Sequence, residues 1–321
     1  MENRKIVILD GFTTVRDDLS WKTFEEFGKI VAYDRTRSWE LIERAKDADA
    51  IITNKVYIGK EQIAQMPKLK YIGLLATGYN NIEIEPARER GIDVVNIPDY
   101  GSDSVAQAAF AHILNIAVRT EEHSQAVRRG DWSKCSDPCF CITKQTEIAG
   151  LTLGLIGYGA IAKKIAKIAL GFGMKVFAYS PSSPAGETKG GVSFKTEDEI
   201  FAEADIVSLN CPLNEKTRHI VRAETIAKMK DGVWIINTGR GPLVDDDALA
   251  DALRSGKVGA AGLDVLSKEP PPADNPLLSA PNCRITPHNA WTTFAARKRL
   301  LGIARDNLAA WLAGKKQNVV N

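Results

Sequence analysis

Residues Leu151 to Ala162, Leu-Thr-Leu-Gly-Leu-Ile-Gly-Tyr-Gly-Ala-Ile-Ala, constrain the fold of this chain more than any other stretch. An apolar run of strand character passes directly into Gly157-x-Gly159-x-x-Ala162, and helix formers follow at once. Gly157 permits a tight strand-to-helix turn, Gly159 lets a bulky anion reach the backbone, and Ala162 keeps helix and strand close. The residues that open the helix, Tyr158, Ala160 and Ile161, then offer amides and a partial positive charge to a pyrophosphate. In a chain with 25 glycines a bare glycine pattern says little, so it is the strand before and the helix after that point to a dinucleotide site.

The same alternation of short apolar runs and amphipathic stretches extends through the chain, the pattern of βαβ units and a parallel sheet. Strands are expected at 5–9, 29–33, 50–53, 71–75 and 94–96, with helices at 20–27, 39–46, 60–65 and 85–90 between them. A long helix over 105–119, capped by Ser104, follows as a connector, and 130–150 reads as irregular. A second series has strands at 151–156, 175–179, 205–209, 233–237, 259–264 and 284–286, with helices at 160–170, 197–202, 223–229, 245–255 and 292–313. A length of 321 residues at ~150 per domain fits two such units. The fold expected is α/β, two doubly wound parallel-sheet domains with a cleft between them, the first built from 1–100 plus 292–321 and the second from 101–291.

Composition removes several classes of partner. With 42 Lys+Arg against 40 Asp+Glu the net charge is +2, too small a field to gather nucleic acid or anionic lipid. The richest apolar helix candidate, 105–118, is interrupted by Gln107, His112 and Asn115, and no stretch reaches the ~20 apolar residues of a membrane span. The apolar run that begins at Ile6 is too short for the core of a signal peptide, so a cytoplasmic protein is expected. Five cysteines, an odd number, agree with a reducing compartment. Cys135, Cys139 and Cys141 cluster, but their spacing is not that of a zinc site, and no metal is expected.

At the strand end that follows the glycine turn, Ser180 stands where an acid would grip the ribose hydroxyls. Serine does not repel a 2′-phosphate, so NAD(H) and NADP(H) both remain open, with NADP(H) favoured; the first cation to follow is Lys189. Three later segments sit at predicted strand ends, where a doubly wound sheet places its ligands: Asn237-Thr-Gly-Arg240, Asp264-Val-Leu-Ser-Lys-Glu269-Pro and Thr286-Pro-His288-Asn-Ala290. Taken singly, Arg240, Glu269 and His288 each have a plain structural reading. Of the four histidines, His112 reads as packing within a helix and His123 and His219 as surface.

Taken together, these segments resemble the D-isomer-specific 2-hydroxyacid dehydrogenases along essentially the whole chain. Val7-Ile-Leu-Asp-Gly11, Leu75-Ala-Thr-Gly-Tyr79, Ser102-Asp-Ser-Val-Ala-Gln107 and His288-Asn-Ala-Trp291 are most similar to the glycerate dehydrogenase/hydroxypyruvate reductase branch. The resemblance implies a flavodoxin-like substrate domain, a Rossmann cofactor domain and a reaction in which hydride moves between a nicotinamide and carbon 2 of a small acid. It makes His288 the general acid–base, Glu269 the residue that orients its ring, and Arg240 the ligand of the substrate carboxylate. Amides of Ala76, Thr77 and Gly78 would complete the carboxylate's hydrogen bonds, and Lys55 would reach the substrate. Around the cofactor it implies Asp264 on the carboxamide, Thr238, Gly239 and Arg240 beside the ring with Ser104, His288 and Ala290 near it, and Cys211, Pro212 and Thr217 on the adenine and pyrophosphate side. Leu74 and Leu75 replace basic residues of phosphoglycerate-oxidising relatives, so an unphosphorylated acid is expected, hydroxypyruvate or glyoxylate first. A D-lactate-type reductase and, less favoured, a corepressor-like dinucleotide sensor are the alternatives. A homodimer is implied by the resemblance; Trp132 and Phe140 would suit its interface, or equally a packed loop within one subunit.

Overall fold

A computed structural model of the chain describes residues 4–321, which divide into two compact units, 4–101 with 291–321 and 102–290.

In the first unit the strands β1 (Lys5–Ile8), β2 (Lys29–Ala32), β3 (Ala50–Thr53), β4 (Tyr71–Leu74) and β5 (Asp93–Val95) form one parallel sheet in the order β2-β1-β3-β4-β5. This is the flavodoxin-like order, with its switch point between β1 and β3. β3 and β4 are buried along their length, as continuous apolar runs require when helices cover both faces of a sheet. The expected helix over 20–27 is instead a 3₁₀ turn, Trp21–Phe27, with the Ser20 hydroxyl accepting from the Lys22 amide. Gly28 ends it at φ +150°, where an added Cβ would lie 2.6 Å from the Arg4 carbonyl oxygen, so the chain turns sharply into β2. The C-terminal helix Phe294–Leu312, capped by Thr293, returns to this unit: the Trp311 ring packs 5.0 Å from that of Tyr71 on β4, and Arg297 pairs with Asp18.

The second unit holds β6 (Thr152–Ile156), β7 (Lys175–Tyr179), β8 (Thr188–Lys189), β9 (Val192–Phe194), β10 (Ile206–Leu209), β11 (Val233–Asn237), β12 (Val258–Leu263) and β13 (Cys283–Ile285). Their order is β13-β12-β11-β10-β6-β7-β9-β8, parallel except for the β8–β9 pair at the edge. One row of paired residues crosses six strands: Tyr179, Ile156, Leu209, Asn237, Leu263 and Ile285. The chain leaves the carboxyl edge of the sheet one residue beyond this row, at Ser180, Gly157, Asn210, Thr238, Asp264 and Thr286. Two apolar layers sandwich the sheet, one including Ile113, Leu153, Leu155 and Ile165, the other Ile200, Val207, Leu209, Ile235 and Leu249.

The long helix differs from expectation. It runs Ser102–Val118, so Ser104 is a buried residue of its first turn rather than its cap. Within the second unit it packs on the helix Ala160–Gly171 and on β12. Arg119 breaks it in the left-handed region (φ 48°, ψ 47°), and a second helix, Thr120–Arg128, follows that was not anticipated. No helix among the described residues is long and apolar enough to cross a membrane.

Candidate active site

Each later segment of interest is held by its own bracing. After β11, the Asn237 side chain, fully buried, accepts from the Gly239 amide (3.0 Å) and donates to the Arg240 carbonyl (2.9 Å). It thereby staples the Thr238–Arg240 turn. Arg240 itself is half-buried, in extended backbone, and one of its guanidinium nitrogens donates to the Gly239 carbonyl. Next to it Gly241 admits no side chain: a Cβ there would sit 1.7 Å from the Leu266 carbonyl oxygen. The turn carrying Arg240 therefore rests directly on the loop that follows β12.

That loop carries Glu269. Its Oε1 accepts from the Leu266 amide (3.3 Å), and its Oε2 lies 2.6 Å from His288 Nδ1. Both ends of the loop are tied to Asp246 at the start of the helix Asp246–Ser255, which accepts from the Ser267 hydroxyl and the Asn275 amide (2.8 Å). Asp246 is a buried carboxylate that the sequence reading did not single out.

Asp264, 1% exposed, organises the third segment. Its Oδ1 accepts from the Thr286 hydroxyl (2.6 Å) and the Asn289 amide (3.0 Å), its Oδ2 from the Ala290 amide (2.9 Å), and its carbonyl from the His288 amide (2.7 Å). Within this turn His288 takes φ +50°, a left-handed conformation that a non-glycine residue adopts when its surroundings compel it. It is Nδ1 of the ring that faces the Glu269 carboxylate, which sets the orientation of the imidazole. His112 reaches the same network from the helix Ser102–Val118, its Nε2 3.2 Å from the Thr286 hydroxyl oxygen. Burial pushes this imidazole below the usual histidine range, opposed in part by the Asp264 charge, so it is neutral at physiological pH.

The fingerprint turn lies where the strand order reverses, between β6 and β10. Gly157 has φ +94°, and a Cβ on it would meet the Asn210 carbonyl carbon and the Cys211 amide nitrogen at 2.7 Å. A Cβ on Gly159, by contrast, would meet no atom within 4 Å among the described residues beyond its own chain neighbours. This open position at the start of the helix Ala160–Gly171 suits the close approach of a pyrophosphate. Two buried polar atoms on the same edge, Asn210 Oδ1 and Thr238 Oγ1, have no hydrogen-bond partner among the described residues, as expected of groups that face a ligand. The residues therefore fit a dinucleotide. Burial pushes the Cys211 thiol up to about 11, so it lines this edge as a neutral group. Thr217 closes the adjoining loop by donating to the Pro212 carbonyl (2.6 Å). At the end of β7 the Ser180 hydroxyl lies 2.9 Å from that of Ser182.

The structure thus gathers the turns bearing Arg240, Glu269 and His288 on one edge of the second unit, with Tyr158, Gly239 and Ala290 on loops of the same edge and Ala160 and Ile161 in the first turn of the helix Ala160–Gly171. Ser104 lies in its neighbouring long helix. Lys55 and Ala76–Gly78 belong to the first unit. Lys55 follows β3, its amide donating to Asp10 (2.6 Å), beside a cavity of about 310 Å³ lined by Asp10, Asp34, Arg35 and Lys55 among others. Thr77, after β4, donates its hydroxyl to the Ile97 carbonyl (2.7 Å). Cys135, Cys139 and Cys141 are free thiols on the irregular segment.

Residues 110–290 match the model of the D-isomer-specific 2-hydroxyacid dehydrogenase NAD-binding domain. A hydroxypyruvate reductase of Blautia hydrogenotrophica is 46% identical over 321 residues, covering 99% of each chain. A glycerate dehydrogenase of Methylorubrum extorquens is 38% identical over 323 residues, again 99% of each. Among solved structures, the TT0316 protein of Thermus thermophilus superposes with a TM-score of 0.88 at 33% identity, covering 99% of this chain and 100% of that one.

Proposed function

The chain belongs to the D-isomer-specific 2-hydroxyacid dehydrogenase family, and on that premise we propose that it is an NAD(P)-dependent reductase of a small 2-keto acid, hydroxypyruvate or glyoxylate first, yielding the D-2-hydroxy acid. The observation that carries this reading is the 2.6 Å pair of Glu269 Oε2 and His288 Nδ1, on the loop against which the Arg240 turn is packed. A nicotinamide cofactor, when bound, would supply the hydride for carbon 2 of the substrate. Arg240 grips the substrate carboxylate and polarises the ketone, a task suited to a planar, permanently charged fork. His288 Nε2 delivers a proton to the oxygen as it becomes an alkoxide, and takes one back in the reverse direction. Glu269 holds the ring in the orientation that turns Nε2 to the reacting oxygen. Lys55 and the amides of Ala76, Thr77 and Gly78 serve as substrate ligands on the strength of the family resemblance alone.

For the cofactor, Gly157 to Ile161 would hold the pyrophosphate, Thr238, Asp264 and their neighbours would meet the nicotinamide end, and Cys211, Pro212 and Thr217 would flank the adenine side. Ser180 favours NADP(H), because it leaves the ribose 2′ position free of negative charge. Free thiols throughout fit a reducing compartment, and hence the cytoplasm. Half-exposed Trp132 and Ile142 fit burial in a homodimer. Steady-state kinetics over a panel of 2-keto acids, each with NADH and NADPH, test the reading. The highest kcat/KM is expected with hydroxypyruvate or glyoxylate, and absence of turnover with every acid would overturn it.

A further inference from the structure

Glu269 and Arg240 are braced by residues of their own neighbourhood, whereas the turn that presents His288 is reached from a distant element. His112 lies on the helix Ser102–Val118, 174 residues before the threonine it contacts. Its side chain is buried against β12 at Gly262, where a Cβ would lie 2.6 Å from the His112 Cβ and 3.1 Å from its Nδ1. Glycine at 262 is therefore what admits the imidazole, and the ring has little room to rotate.

The direction of the hydrogen bonds follows from the groups involved. Asp264 as a carboxylate can only accept, so the Thr286 hydroxyl proton points to Oδ1 at 2.6 Å. The Thr286 oxygen must then accept from His112, which fixes the proton of the imidazole on Nε2. The chain of donors runs His112 to Thr286 to Asp264. Asp264 in turn receives the amides of His288, Asn289 and Ala290. Every link is buried or half-buried, where an unmade hydrogen bond is costly.

We propose that His112 is a positioning residue for the hydride-transfer site, setting, through Thr286 and Asp264, the left-handed turn that aims His288. The inference rests on the dehydrogenase reading for its kinetic consequence, but not for its structural one. Loss of the His112 donor leaves the Thr286 oxygen unfilled and frees its hydroxyl to turn from Asp264. The His288 turn then samples other conformations, and the nicotinamide edge of the site loosens while the pyrophosphate turn at Gly157–Ala162 is untouched.

The experiment compares His112→Leu, which removes the donor, with His112→Gln, whose amide nitrogen reaches about as far as Nε2. His112→Leu is expected to lower kcat roughly ten- to hundred-fold with KM for the keto acid nearly unchanged, and His112→Gln to recover most of it. Thr286→Val is expected to match His112→Leu, and the double variant to be no worse than either single one. A second readout uses no turnover: His112→Leu is expected to weaken NADH or NADPH binding while ADP-ribose or its 2′-phosphate, which lack the nicotinamide, binds as before. Wild-type kcat in His112→Leu, equal damage in His112→Gln and His112→Leu, or additive losses in the double variant would overturn the proposal. So would equal weakening of both ligands. If the wild type turns over no keto acid, the dehydrogenase reading fails, and the binding comparison still decides the role of His112.

Discussion

Gly241 and Leu266 approach so closely that a Cβ on the glycine would fall 1.7 Å from the leucine carbonyl oxygen and 2.0 Å from its carbon. Two segments that meet only in the folded chain, the Arg240 turn and the Glu269 loop, are thereby set in one register. Gly241→Ala forces them apart at a backbone contact that no rotamer change relieves. We expect stability to fall by about 1–3 kcal/mol, the usual cost of overpacking, with kcat falling as well because Glu269 shifts from His288. Thermal unfolding and steady-state kinetics check both parts; an unperturbed Tm with full activity would show that the contact is slack.

Gly159→Ala should behave in the opposite way. Beyond its chain neighbours a Cβ there meets no atom of the described residues within 4 Å, so folding is expected to be unchanged within about 0.5 kcal/mol. The added methyl would instead meet the incoming pyrophosphate, raising KM for the dinucleotide while KM for the keto acid holds. A Tm close to wild type with weakened dinucleotide binding is the expected pair of results.

His112 links pH to stability. Its folded-state pKa lies below the unfolded value of about 6.5, because burial disfavours the charged ring. The unfolded chain therefore binds a proton first as pH falls. The contribution of neutral His112 is complete above the unfolded pKa and is lost as pH drops below it, at no more than about 1.4 kcal/mol per pH unit. Denaturant unfolding between neutral and mildly acid pH is expected to show a steeper loss for wild type than for His112→Gln. Parallel curves would assign the acid sensitivity to other groups.

Ser180→Asp should turn dinucleotide preference towards NAD. A carboxylate at the end of β7 would accept from the ribose hydroxyls of NAD and repel a 2′-phosphate. The ratio of kcat/KM for NADPH to that for NADH is expected to fall at least about ten-fold, by analogy with the cost of one charge–charge contact in a partly desolvated site. An unchanged ratio would remove Ser180 from the cofactor site.

Legibility in the sequence followed how locally each feature is specified. β3, β7 and β11 occupy 50–53, 175–179 and 233–237 as expected, since each is an apolar run with abrupt polar or glycine flanks. The β8–β9 hairpin went unseen because Thr188–Lys189 and Val192–Phe194 are short, with no apolar run to mark them. Its turn, Gly190-Gly191 with φ +59° and +84°, is nonetheless a hairpin signal that could have been used. Helix Thr120–Arg128 was missed because Arg119 adopts a left-handed conformation that its side chain does not announce. In the site, Glu269 and His288 stood out through the family pattern, but the residues that hold them did not. Thr286, Asp246 and His112 acquire meaning only from partners 22, 29 and 174 positions away, separations that no local spacing encodes.

The central claim is that His288, held by Glu269, transfers the proton that accompanies hydride transfer to a 2-keto acid. The most direct test follows the loss of NAD(P)H absorbance on addition of hydroxypyruvate or glyoxylate, with wild-type protein and with His288→Ala. The account predicts rapid loss with wild type and a kcat lower by roughly 10²- to 10⁴-fold in the variant, the range of general acid–base catalysis, at nearly unchanged dinucleotide affinity. Turnover by His288→Ala within a few-fold of wild type would contradict it.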